Sequence, residues 1–147
     1  MTTNKNGYDL IKESEGLRLH SYQDTGGIWT LGYGHTGGVQ PNQTITEIRA
    51  NELLTQDVSD SEFGLNNSGL TLNQNQFDAL IDFIFNLGIT KFRGSTLYKK
   101  IQLNPNDPLI AKEFKKWVYG KINGKQTQLP GLILRRQREV DLYFNKN

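Results

Sequence analysis

Glu15, Asp24 and Thr30 place two carboxyl groups and a hydroxyl within one short stretch that ends in Gly32-Tyr33-Gly34-His35-Thr36. A pair of carboxyl groups can cleave an acetal bond. One must carry a proton to help the leaving oxygen depart. The other must be ionised, to orient a water or to balance the positive charge that develops on a sugar ring. A hydroxyl beside the second carboxylate can hold that water.

These groups need elements that position them. Asp9 to Glu15 reads as a short helix whose apolar face includes Leu10 and Ile11 and which ends at Gly16. Glu15 then stands at a helix C-terminus, where the backbone dipole disfavours negative charge, a place suited to a carboxyl serving in its acid form. Leu17 to Asp24 and Ile28 to Tyr33 alternate as two strands, and Thr25-Gly26-Gly27 between them reads as a hairpin turn. Asp24 and Thr30 would flank that turn. Gly37 to Gln40 is expected to add a third short strand before Pro41.

Helices account for most of the rest. Thr46 is a good cap for a helix running to about Gly64, with Ile48, Leu53, Leu54 and Val58 at helical spacing. Asn73 or Asn75 starts a strongly apolar helix through Phe77, Leu80, Ile81, Ile84, Phe85 and Leu87, ended by Gly88; being apolar on most sides, it should be buried. Two more helices are expected around Gly94 to Gln102 and Pro108 to Val118. Asn123-Gly124 signals a hairpin within Tyr119 to Gln128. Pro130-Gly131 leads into a last helix through Phe144.

Taken as a whole, Glu15-Gly16, Tyr22-Gln23-Asp24 and Gly27-Ile28-Trp29-Thr30-Leu31-Gly32-Tyr33-Gly34-His35-Thr36 resemble the signature of the phage-type lysozymes, the endolysins of glycoside hydrolase family 24. The resemblance continues through Phe77-Asp78-Ala79-Leu80, Phe85-Asn86-Leu87-Gly88, Phe92, Ser95-Thr96-Leu97, Trp117 and Gly131-Leu132 with Arg135, Arg136 and Glu139, and so spans about Tyr8 to Phe144. It implies an α+β, lysozyme-like fold: a small antiparallel β lobe of about residues 16–60, a larger helical lobe of about 66–147 plus the N-terminal helix 8–15, a long joining helix and a cleft between. The chain would be a single lysozyme domain. The implied reaction is hydrolysis of the β-1,4 bond between N-acetylmuramic acid and N-acetylglucosamine in peptidoglycan, by inversion. Glu15 would be the general acid, Asp24 would orient the water and stabilise the transition state, and Thr30 would help hold the water. Thr36, Phe85 and Thr96 match positions that touch the sugar chain. No cofactor and no metal are implied.

Each of these residues also has an ordinary structural role. Asp24 ahead of Gly26 and Gly27 is a common turn cap, compatible with catalysis. Phe85 on an apolar helix is core by default. His35 and Tyr33 are assigned structural roles near the site; His35 should fix the cleft wall through a partner that the sequence does not name. The helix carrying Arg135, Arg136 and Arg138 also carries Leu132, Leu134, Val140, Leu142 and Phe144, so its basic face is expected at the surface. There it would be solvated or would contact an anionic wall polymer or outer-membrane lipid.

Composition sets the outer bounds. The 147 residues suit one domain, and 35% hydrophobic with 22% charged residues describes a globular chain. There is no cysteine, so disulfides and thiolate metal sites are excluded, and His20 and His35 are the only histidines. Residues 1–90 carry 4 basic and 11 acidic side chains and residues 91–147 carry 13 and 4, balances of −7 and +9 that sum to the formal +2. Glycines that would cradle phosphate are lacking, so neither nucleotide nor nucleic acid is expected as a partner. The N-terminus lacks a hydrophobic segment, which leads to the expectation of a monomer made in the host cytoplasm and released to the wall through a separate membrane pore.

Two rivals remain at this level. A lytic transglycosylase uses one acid and no water, and related phage enzymes of that kind lack the aspartate–threonine pair present here. A wall-binding or nucleic-acid-binding module without catalysis would rest on the basic half alone.

Overall fold

The structure, a computed structural model, describes residues 1–145. Its elements in order are α1 (Lys5–Glu15), β1 (Arg18–Gln23), β2 (Trp29–Gly32), α2 (Glu47–Asn66), α3 (Gln74–Leu87), α4 (Ile89–Arg93), α5 (Thr96–Leu103), α6 (Ile110–Phe114), β3 (Tyr119–Ile122), β4 (Lys125–Gln128) and α7 (Pro130–Tyr143). The α+β class and lysozyme-like arrangement expected from the sequence are found.

The first helix starts four residues earlier than its apolar pattern suggests. The segment before it is tied down: Thr3 donates to Glu62, and the Asn4 amide donates to Asp78 at 3.1 Å. Gly16 ends α1 as expected. It adopts φ 72° and donates to the Lys12 carbonyl at 2.9 Å, a conformation that glycine reaches without steric cost.

β1 and β2 pair antiparallel with Tyr22 opposite Thr30 and Gln23 opposite Trp29. The expected third strand at Gly37 to Gln40 is not formed. Those residues turn back, and the stretch Gln43 to Ile45 takes the place beside β1. Ser21 N–H donates to the Gln43 carbonyl at 2.8 Å, Ile45 N–H donates to Leu19 at 2.9 Å, and Thr44 bridges His20. Polar Thr44 was not an obvious strand residue, whereas Gly37-Gly38 lacks the side chains that stabilise pairing.

α2 is capped by Thr46, whose hydroxyl accepts from Arg49 N–H at 3.1 Å. α3 has a reciprocal cap. The Asn73 side chain accepts from Gln76 N–H at 2.8 Å, and the Gln76 side chain accepts from Asn73 N–H at 3.0 Å. α3 is the buried centre, touching α1, α2, α4 and α7. Phe83 at its middle has three aromatic neighbours edge-on: Phe92, Phe114 and Trp117, with ring centres 6.0, 5.7 and 5.8 Å away.

Beyond α3 the sequence reading needs amendment. A single-turn helix, α4, follows Gly88 where a loop was expected, and α6 ends at Phe114 rather than at Val118. The second hairpin forms as Asn123-Gly124 suggests, both residues having positive φ (50° and 79°) as a tight hairpin turn demands. Among the described residues, no helix is long and apolar enough to cross a membrane.

Candidate active site

A cavity of about 520 Å³ opens where α1, the loop after β2, α2 and α3 meet. It is lined by Glu15 at the end of α1, by Gly34 to Gly37, by Asp57, Asp60 and Ser61 on α2, and by Phe85 and Asn86 at the end of α3. Glu15 is the acid at its wall. Its position follows from three local features.

First, Gly16 stops the helix there. Second, the chain from Leu31 to His35 forms a tight turn closed by two backbone hydrogen bonds, Leu31 N–H to His35 (3.0 Å) and His35 N–H to Leu31 (2.8 Å). Gly34 in that turn has φ 76°, and a Cβ there would lie 2.6 Å from Glu15 Oε1. Glycine is therefore required twice over, for its backbone and for the space that the carboxyl fills. Third, Arg135 donates from Nη1 to Glu15 Oε2 at 2.5 Å. An oxygen that accepts from a guanidinium cannot also carry the proton without losing that bond. The proton of neutral Glu15 therefore belongs on Oε1, the oxygen facing Gly34.

Arg135 is itself gripped. Asp82 on α3 accepts from its Nε at 2.9 Å and its Nη2 at 2.8 Å, a two-pronged pairing inside the protein. Burial opposes charge on Arg135, but the bonds and charge of Asp82, then those of Glu15, outweigh it and push its pKa up. Beside it, Arg136 is fully buried, pairs with Glu139 at 2.7 Å, and donates to Asn86 Oδ1 at 2.8 Å. Its guanidinium also stands 5.1 Å from the centre of the Phe83 ring.

The expectation that Arg135 and Arg136 form an exposed, anion-seeking face is thus corrected. Both are inside, each matched by carboxylates from other elements or from the next turn, because an unpaired buried charge is far costlier than a paired one. Arg138 alone of the three is partly exposed, and it meets Glu13 at 3.2 Å.

The hairpin holds Asp24 and Thr30. Asp24 Oδ1 accepts from Gly26 N–H at 2.8 Å and from Ile28 N–H at 2.9 Å, while the backbone of Asp24 exchanges a further bond with Ile28. The turn-capping role is real, and it uses one carboxylate oxygen. Oδ2 is left as the one that can face a water. Thr30 donates its hydroxyl hydrogen to the Ile28 carbonyl at 2.9 Å, so towards a water Oγ1 can act only as an acceptor. Asp24 Oδ2 and Thr30 Oγ1 together offer acceptors for two hydrogens of one water. Neither residue lines the cavity described above.

The remaining candidates divide. His35 has its partner in Asp57: Nδ1 lies 2.8 Å from Asp57 Oδ2, and Nε2 lies 2.9 Å from the Gly37 carbonyl. Both ring nitrogens are engaged, which fixes the loop to α2 and forms the cavity wall. Tyr33 is buried; burial and then the charge of Glu47 push its pKa up, and Lys12 stands 5.5 Å from its ring centre. Thr36 and Phe85 line the cavity, whereas Thr96, exposed at the start of α5, does not. Among the described residues, no group of three or more His, Cys, Asp or Glu side chains is placed to hold a metal ion.

Sequence reasoning did not single out Asp82, and it placed Arg135 wrongly. The signal was present: Asp78 and Asp82 sit four apart on the most apolar helix in the chain, where buried carboxylates require partners.

Comparison with known proteins agrees with the geometry. Residues 12–139 match the family described as phage lysozyme. The chain is 44% identical over 144 residues to the endolysin of Acyrthosiphon pisum secondary endosymbiont phage 1, covering 97% of this chain and 98% of that protein. It superposes on the endolysin from Escherichia coli O157:H7 phage FAHEc1 with a TM-score of 0.92 at 33% identity, covering 100% and 96% of the two chains. On the muramidase domain of SpmX from Asticaccaulis excentricus the TM-score is 0.90 at 34% identity, covering 98% of each. Full-length similarity of this kind, joined to an acid anchored at the cavity wall, places the chain in the phage lysozyme family.

Proposed function

We propose that the chain is an endolysin that hydrolyses the β-1,4 bond between N-acetylmuramic acid and N-acetylglucosamine, and that it does so by inversion. As a member of the phage lysozyme family it is a muramidase-type glycoside hydrolase acting on peptidoglycan. The single observation that carries the finer reading is Glu15. Its Oε2 is bound by Arg135, and its proton-bearing Oε1 lies against Gly34 at a cavity large enough for a glycan.

In the proposed reaction Glu15 Oε1 gives its proton to the glycosidic oxygen as the bond to the anomeric carbon breaks. A water held by Asp24 Oδ2 and Thr30 Oγ1 attacks that carbon from the opposite face and passes its proton to Asp24. The product is a reducing sugar of inverted configuration. Inversion calls for carboxyl groups roughly 6.5–9.5 Å apart, so that the water fits between them. Thr36 and Phe85 are proposed to contact the sugar chain. The proposal treats the chain as one catalytic domain, made in the host cytoplasm and released to the wall through a separate membrane pore.

Mass spectrometry of purified peptidoglycan digested by wild type and by Glu15→Gln tests this. Reducing muropeptides from wild type, absent with the variant, are the expected result. Products ending in 1,6-anhydro sugars would make the enzyme a lytic transglycosylase and leave Asp24 and Thr30 without their roles. No soluble product from wild type would remove the hydrolase reading.

A further inference from the structure

The cavity does not account for the charged groups behind it. Asp82 and Glu139 are fully buried and neither lines the cavity, yet Asp82 holds the arginine that holds Glu15. Glu15 from α1, Arg135 from α7, Asp82 from α3, and Glu139 and Arg136 from α7 form one continuous string. Glu15 meets Arg135, Arg135 meets Asp82, Asp82 is hydrogen-bonded to Glu139, and Glu139 pairs with Arg136.

Other groups on the same elements are already occupied. Asp78, one turn before Asp82, takes Asn4 and Gln74. Glu13 on α1 takes Arg138 near the surface. Asn86 and the Trp117 carbonyl both accept from Arg136.

The string contains two guanidinium groups, whose charge is permanent, and three carboxyl groups. Two ionised carboxylates have no hydrogen to share, so the hydrogen bond between Asp82 and Glu139 itself requires a proton. Burial, then the bond to Asp82, also pushes Glu139 well above the ordinary carboxylate range. The charge count gives this proton a meaning. With one proton on the Asp82–Glu139 pair and Glu15 ionised, the string is neutral. With the pair ionised and Glu15 protonated, it is neutral again. With neither protonated, a net negative charge is left in the interior, which is unfavourable.

We propose that the Asp82–Glu139 pair holds a shared proton and acts through Arg135 as the positioning and charge-balancing partner of Glu15, so that protonation of the pair and of the catalytic acid are coupled. This rests on the reading of Glu15 as the acid. When Glu15 releases its proton to the leaving oxygen, the proton kept by the pair leaves the string neutral, and Arg135 stays seated between its two carboxylates. Asp82 and Glu139 are positioning residues. Neither touches substrate.

Carbon NMR titration of labelled side-chain carboxyls in wild type and in Glu15→Gln reads the coupling from the buried end. The pair should retain a proton at neutral pH in wild type. In Glu15→Gln it should release that proton at a pH lower by about one unit, because the nearby negative charge has gone. Both carboxyls ionised at neutral pH in wild type, or identical titrations in the two proteins, would overturn the proposal.

Asp82→Asn reads it from the catalytic end. Asparagine can still accept from Arg135 and donate to Glu139, but it removes one negative charge. The alkaline limb of kcat/KM should move down by about one pH unit with KM little changed, whereas a coincident limb would count against any role for Asp82 beyond structure. Activity surviving in Glu15→Gln would remove the acid reading itself. An inactive Glu15→Gln with an unmoved pair would remove only the coupling.

Discussion

The β1–β2 hairpin and the α3–α7 contact hold their functional carboxyl groups by opposite means. On the hairpin, Asp24 is partly exposed and is fixed by backbone N–H groups from its own turn, no more than four residues away. Between α3 and α7, Asp82 and Glu139 are fully buried and are fixed by guanidinium groups, the Arg135–Asp82 bond joining residues 53 apart in sequence. A carboxylate that must face water can be held by cheap local bonds and remain solvated. A carboxyl that sets the position and charge of another group needs a dry, fully paired environment, where every interaction is stronger and every loss is costlier. Glu15 stands at the join. Gly16 and Gly34 shape its place locally, and Arg135 reaches it from 120 residues away.

If the two regions divide the work in this way, damage to them should separate activity from stability. Asp24→Ala should lower kcat by about 10²–10⁴-fold, the usual range for losing a positioned base. It should cost only about 1 kcal/mol of stability, since the lost bonds are exposed and intraturn. Activity assays on purified peptidoglycan beside urea denaturation would measure both. A large stability loss with residual activity would show Asp24 to be a turn cap alone. Glu139→Ala is the converse. It leaves Arg136 buried without its carboxylate, and breaking such a pair costs about 3–5 kcal/mol. A denaturation midpoint near that of wild type would mean that Arg136 finds water or another acceptor, and that the contrast between the regions is smaller than the burial implies.

Gly34→Ala tests the join. The positive φ of 76° strains any larger residue, and the new methyl would displace Glu15 Oε1 from its present place. A stability loss of about 1–2 kcal/mol from the left-handed backbone should accompany an activity loss of about 10²-fold from a misplaced acid. If stability falls while kcat is preserved, the carboxyl has room to move without consequence, and the turn is only scaffolding.

The same contrast explains what could be read from the sequence. The Asn73 cap, the Asn123-Gly124 turn, the Gly16 stop and the Glu15-to-Thr36 motif are local: each is determined by residues a few positions apart. The third strand failed because partners for β1 lay at Gln43 to Ile45, where the residues are polar and the pairing is chosen by loop geometry. The arginines of α7 failed for a different reason. A charged residue at helical spacing reads as solvent-facing unless its partner is known, and the partners of Arg135 lie on α1 and α3. Asp78 and Asp82 on an apolar helix, and Asp57 with Asp60 and Ser61 on one face of α2, were the available hints.

The smallest expected effect concerns pH and stability, and its sign distinguishes the two regions. A carboxyl whose folded-state pKa is raised binds its proton more tightly when folded. Its contribution is fully present below the ordinary value of about 4.5 and is lost as pH rises through the raised value. Glu139 is such a group, and Asp78, raised chiefly by burial, has the same sign. Above about pH 4.5 the Glu139 proton should therefore make stability fall with rising pH, by at most about 1.4 kcal/mol per unit for one proton. Urea denaturation at several pH values on wild type and Glu139→Gln isolates this contribution. The variant should be less stable at low pH, because Arg136 has lost its anion, but its stability should fall less steeply. Parallel curves would mean that Glu139 releases its proton at the same pH folded and unfolded, and the buried end of the string would then carry no proton of its own.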